Sequence, residues 1–96
     1  MFLHIHDVKY IADYQLEVSF TNGRKGIADF RHLLDGKIFE ALRDPSTFAQ
    51  ATIDQELETI VWPNGADVAP EFVYYHVFKD EPELQEQFQQ WGYTAS

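Results

Sequence analysis

The sequence predicts an α+β fold: a small antiparallel sheet of about five strands, packed with short helices and closed by a C-terminal helix. Three observations carry that prediction. Tyr14, Leu16, Val18 and Phe20 alternate with Gln15, Glu17 and Ser19, the period-two pattern of a half-buried strand. Asn22-Gly23 follows, a strong hairpin turn because both residues tolerate positive φ. The order of patterns is three strands, then helices, then two strands, then helices. That block arrangement suits α+β better than alternating β-α-β units.

The opening "FLHIHDVKYI" reads as the first strand, with Ala12-Asp13 turning it into the next. Leu3 and Ile5 set one phase, Val8 and Tyr10 the other. A bulge near Asp7, or burial on both faces, would reconcile them. "RKGIADF" pairs back after the turn. Beyond Asp29, residues Leu33, Leu34, Ile38, Phe39 and Leu42 fall at near-helical spacing, interrupted by Gly36. A turn and then a helix over 36–43 are predicted, with Asp35 available as a cap. Pro45 stops that helix and opens a second short one in "PSTFAQA". "ATID" and "ETIVW" form two strands joined by "QEL", and "PEFVYYHVF" is helical from Pro70.

In "DEPELQEQFQQWGY", Asp80 is the predicted N-cap, Pro82 lies early and Glu83 follows three residues after the cap. Leu84, Phe88 and Trp91 share one helical face, and Gly92 ends it. The organisation read is one domain over 1–96, with a core over 1–79 and an amphipathic helix over 80–93. Repeats, linkers and low-complexity tracts are missing from the pattern.

Hydrophobic residues make up 45% and aromatics 16% of the 96 residues, which excludes a disordered chain. There is no cysteine, hence neither a disulfide framework nor a thiol nucleophile. The N-terminus turns polar within a few residues, and no apolar run approaches the roughly 20 residues of a membrane span. A soluble, cytoplasmic, bacterial protein is expected. The net charge is −9, from sixteen acids against seven lysines and arginines. Phosphate contacts supply most nucleic-acid affinity, so direct nucleic-acid binding is not expected. An acidic surface instead steers towards basic partners.

Chemical motifs are sparse. His4 and His6 stand two apart on a strand and would share a face. They supply half a metal site, which His32 or His76 would have to complete. Asp54, Glu56, Glu58, Asp67, Glu71, Glu81 and Glu83 form carboxylate pairs in sequence. General acid–base work would need one of them in a cleft. The sequence carries no Ser-His-Asp signature and no glycine-rich phosphate loop. No catalytic residue and no cofactor is assigned, and an enzyme is not expected.

The stretch "VWPNGADVAPEFVYY" invites two readings. As architecture, Trp62 covers the end of a small core and Pro63 ends the strand. Asn64-Gly65 then turns the chain, Asp67 caps the next helix and Pro70 enters its first turn. As a surface, the same corner presents aromatics and backbone donors to a partner.

"VWPNGADVAPE", "FEALRDPSTF" and the opening "HDVKYIADYQLEVSFTNGRKGIADF" together resemble the bacterial family of domain of unknown function 2442 (DUF2442) over roughly residues 4–75. The resemblance implies an α+β domain that in some members precedes a helix-turn-helix module, and hence a regulatory role. This sequence ends at Ser96 with one amphipathic helix and shows no such module. The resemblance also implies a setting beside a second small gene in toxin–antitoxin-like pairs, and brings no catalytic residue.

The expectation is therefore a non-enzymatic protein-interaction domain, the acidic partner of another small, basic protein. A homodimer is also admitted. Its expected contact residues are Trp62, Pro63, Asn64, Gly65 and Asp67 at the corner, and Leu84, Phe88 and Trp91 on the last helix. The alternative is a small-ligand or metal-binding regulatory domain using His4 and His6.

Overall fold

β2 (Gln15–Phe20) is the central strand of a three-stranded antiparallel sheet, flanked by β1 (Ile5–Ala12) and β3 (Lys25–Asp29). The computed structural model describes residues 3–33 and 36–93. Leu34 and Asp35, with the cap expected of Asp35, lie outside them. Leu16, Val18 and Phe20 are fully buried on one face of β2, as their alternation predicts. The strand starts one residue later than expected. Tyr14 lies instead in the turn after β1, with φ 65, a backbone state uncommon for a residue with a Cβ. Its ring meets Phe48 edge-on and its hydroxyl donates to the Arg43 carbonyl. Packing, not strand pairing, is what the apolar position records.

The predicted slip in β1 is a bulge. Ile5 pairs with Phe20 but Asp7 pairs with Ser19, so His6 is an extra residue, and the phase changes to set Val8 opposite Val18. A second shift falls between Tyr10 and Ala12. In the β2–β3 turn, Asn22 Oδ1 accepts from Arg24 N–H and Gly23 takes φ 89.

β4 (Thr52–Asp54) and β5 (Thr59–Val61) form a separate antiparallel pair. Asp54 Oδ1 holds their turn by accepting the N–H groups of Glu56 and Leu57, each at 2.9 Å. Ile5 N–H donates to the Glu58 carbonyl at 2.9 Å and ties this hairpin to β1.

Four short helices lie among the described residues. α1 (Lys37–Glu40) runs into a 3-10 turn over Ala41–Arg43. α2 (Pro45–Phe48) is capped by Asp44, which accepts from the Ser46 N–H and from the Ser46 and Thr47 hydroxyls. α3 (Pro70–Phe78) and α4 (Gln85–Trp91) follow, the latter after a 3-10 turn over Pro82–Leu84.

Two expected caps are corrected. Ala69 and Glu81, not Asp67 and Asp80, occupy the N-cap positions of α3 and of the 3-10 turn, and neither offers a side-chain cap bond. Pro70 and Pro82 follow directly, and each removes a donor that a cap would have to satisfy. Gln85 instead donates to the carbonyls of Lys79 and Glu81, at 2.8 and 2.9 Å. Gly92 ends α4 as predicted, with φ 84 and the Tyr93 N–H on the Phe88 carbonyl.

α3 lies across the sheet. Tyr74 meets Phe20 edge-on at 5.1 Å and is ringed by Phe78, Phe88 and Trp91. Leu84 and Phe88 are buried in the same cluster as Leu16, Val18 and Phe20, so the apolar stripe of α4 packs on its own core. Helix and sheet approach closely at Gly26, where a Cβ would fall 2.5 Å from Val77 Cγ1. A second aromatic group joins Phe30, Phe48 and Trp62. His76 is half-buried between the rings of Phe72 and Tyr75.

Three measurements follow from this packing. Trp62→Ala should lower unfolding free energy by about 3–5 kcal/mol in urea titration; a loss under about 1 kcal/mol would show that the ring does not anchor the core. Gly26→Ala should cost about 1–3 kcal/mol, because the branched Val77 side chain cannot swing clear without moving α3; an unchanged midpoint would refute that tight contact. Burial, and then the Lys79 charge, hold His76 below the ordinary histidine range. The unfolded chain therefore takes up this proton first. Stability is full above the unfolded value of about 6.5 and falls as pH drops through it towards the folded value. His76→Gln should flatten that fall, and an equal slope in both proteins would exclude His76 as its source.

Candidate partner-binding surface

The corner after β5 is closed by its own backbone. Trp62 N–H donates to the Ala66 carbonyl at 2.9 Å, and Gly65 N–H donates back to Trp62 O at 3.0 Å. Asn64 Oδ1 accepts from Ala66 N–H, and Gly65 takes φ 91. Asp67 bridges back to Val61. Thr59, itself buried, donates its hydroxyl to the Val68 carbonyl at 2.6 Å, which pins the next residues against β5.

This construction splits the expected contact residues. Trp62 turns inward: it is 3% exposed, and its indole N–H donates to the Phe48 carbonyl at 3.0 Å. Pro63, Asn64, Gly65 and Asp67 stay exposed outside it. Leu84, at the end of the 3-10 turn, and Phe88 on α4 are buried, and Trp91 is half-buried. The five corner residues come together; Leu84, Phe88 and Trp91 form a separate group whose apolar side faces the core.

Beside the corner lies an apolar groove of about 300 Å³. Its walls are Phe30, Leu33, Phe39, Val68, Phe72 and Tyr93, and Asp67 is the charged residue among the described residues that line it. Among the described residues, the Asp67 side chain has neither a hydrogen bond nor an ion pair. Tyr93 stacks on Tyr75 at 4.9 Å. Burial, and then the charge of Glu71, push its hydroxyl above the usual tyrosine range. On the other side of the Asp67–Ala69 ridge is a shallower hollow bordered by Leu57, Thr59 and Pro70. Leu57 is 54% exposed there.

The groove walls were not legible as such. Spacing marks Phe39 and Phe72 as apolar, but a residue that fills a core and one that walls a groove look alike in sequence. Tyr93 falls after the last periodic residue and carries no pattern at all.

The histidines stay apart, with one exception. His4 Nε2 lies 3.1 Å from Glu58 Oε2, and His4 and His6 border a small hollow with Asp54 and Glu58. His6 is the bulged residue, so the period-two rule that set it on the face of His4 does not hold there. His32 lies in the turn after β3 and His76 on α3. Among the described residues, no three His, Cys, Asp or Glu side chains converge as a metal site. Asp54, the strongest of the sequence carboxylates by contacts, is occupied in holding the β4–β5 turn. No helix among the described residues is long and apolar enough to cross a membrane.

No curated protein matches the chain. Among solved structures, the fold is similar to "Crystal Structure of Putative DNA Binding Protein NE0471 from Nitrosomonas europaea ATCC 19718", with a TM-score of 0.73 at 16% identity. The likeness covers 98% of this chain and 64% of that one, so this chain spans about two-thirds of its neighbour's length. At that identity the shared property is the fold. The family model described as Protein of unknown function (DUF2442) matches residues 5–79, from the first residue of β1 to the residue after α3, and takes in the corner and most of the groove. The chain belongs to the DUF2442 family.

Proposed function

We propose that this chain is a non-enzymatic protein-interaction domain with a regulatory role, the acidic partner of another small, basic protein. The observation that carries the reading is the apolar groove beside the corner, bordered by a carboxylate without a partner among the described residues. Apolar hollows with a polar rim are what protein interfaces are built from. The net charge of −9 supplies attraction at long range. In its finer form the reading is the acidic member of a toxin–antitoxin-like pair in the bacterial cytoplasm; the missing cysteines accord with a reducing compartment.

The solved neighbour's name speaks of DNA binding, but that property stays with that protein. Here sixteen acids oppose seven lysines and arginines, and phosphate neutralisation needs the reverse. Regulation of nucleic acid by this chain would pass through the partner. The second reading is a small apolar ligand, favoured by a groove volume at the lower end of the roughly 300–1,000 Å³ typical of ligand pockets.

The test is capture of partners by the full chain from its source cells, followed by titration of the purified pair. A stoichiometric complex with one basic protein, weakening steeply as salt rises, is the expected outcome. Absence of any stoichiometric protein, together with saturable binding of an apolar dye, would replace this reading with the ligand one.

A further inference from the structure

We infer that the groove receives one large apolar side chain of a protein partner, and that a lysine or arginine beside that side chain pairs with Asp67. The inference rests on the protein-interaction reading and names the contact within it.

The groove offers aromatic walls from α1, α3 and the chain just beyond α4 (Phe39, Phe72 and Tyr93), with Val68 also lining it. An aliphatic or aromatic side chain gains contact on several sides there, which is the geometry of an interface anchor. Among the described residues that line the groove, charge enters at Asp67. Asp67 lines the groove, is exposed, and has no ion pair or hydrogen bond from its side chain among the described residues. An incoming cation would displace only water from it. Glu71 lies near enough to Tyr93 for its charge to act on that hydroxyl. Arg31, the nearest cation in sequence to Leu33, stands over the Tyr14 ring at 5.8 Å.

Charge also selects against a second copy as the occupant. A self-complex would bring a chain of net charge −9 against another. A basic segment is attracted by the same field. The ridge that carries Asp67 is held by its bridge to Val61 and by the Thr59 hydroxyl on Val68. The backbone beneath the carboxylate is therefore in place before anything binds, which lowers the ordering cost.

The experiment is selection of random dodecapeptides displayed on phage against the immobilised full chain, then synthesis of the enriched peptides. The expected consensus is a large apolar residue adjacent to lysine or arginine, with amide shifts on binding centred on Phe39, Ala69 and Phe72. Asp67→Asn should weaken binding about five-fold, and Asp67→Lys about ten-fold or more, with melting temperatures unchanged. Peptides carrying glutamate in place of the basic residue should not bind.

Enrichment without a cation, shifts centred elsewhere, equal affinity for Asp67→Lys, or no enrichment at all would each overturn the proposal. An apolar dye that fills the groove while no peptide binds would also overturn it. A captured basic partner that binds Asp67→Lys undiminished would leave the interaction reading standing and remove only this contact.

Discussion

Tyr74 is where the sheet, the β2–β3 turn and the last helix meet. Phe20 comes to it edge-on from the central strand, and Phe88 and Trp91 come from α4. Its hydroxyl accepts from Asn22 Nδ2 at 3.2 Å, which gives a buried polar atom a partner. α3 can come this near only because β3 has no side chain at Gly26. Arg24 reinforces the seam, with its guanidinium over Phe78 and on Glu83. That ion pair is exposed and contributes little by itself. The rings and the missing Cβ set the distance between helix and sheet.

At the other end of the molecule, the inward turn of Trp62 has a double effect. It packs against Phe30 and Phe48, and Ala66 of the corner is buried in the same core. Pro63 to Gly65 and Asp67 are thereby left outside, on a loop whose backbone is satisfied internally. Such a loop is a rigid support for a contact surface, since its shape does not depend on what touches it.

Much of the fold was legible in the sequence. Alternation placed β2, the Asn-Gly pair placed its hairpin, and the phase slip near Asp7 pointed to the bulge at His6. These signals are local and repeat along the chain. The misses came where a single residue had two jobs on offer. Tyr14 fits the strand period but serves as a turn residue with positive φ. Asp67 and Asp80 look like caps, yet each is followed at a short distance by a proline that starts its own turn. The corner was recognised as a unit, and the inward course of Trp62 fits its architectural reading. The groove was not foreseen, because its walls come from α1, α3 and Tyr93, and only tertiary assembly brings them together.

The family match stops at residue 79, but the physical core does not. Phe88 is 0% exposed, and with Trp91 it covers one side of Tyr74. The matched segment is thus smaller than the packed core of this chain. Its central tyrosine takes part of its cover from residues beyond the match: without Phe88 and Trp91, the Tyr74 ring would lie open on the side that α4 faces. In this chain the last helix is therefore a working part of the core that the matched segment builds, and not an appendage to it.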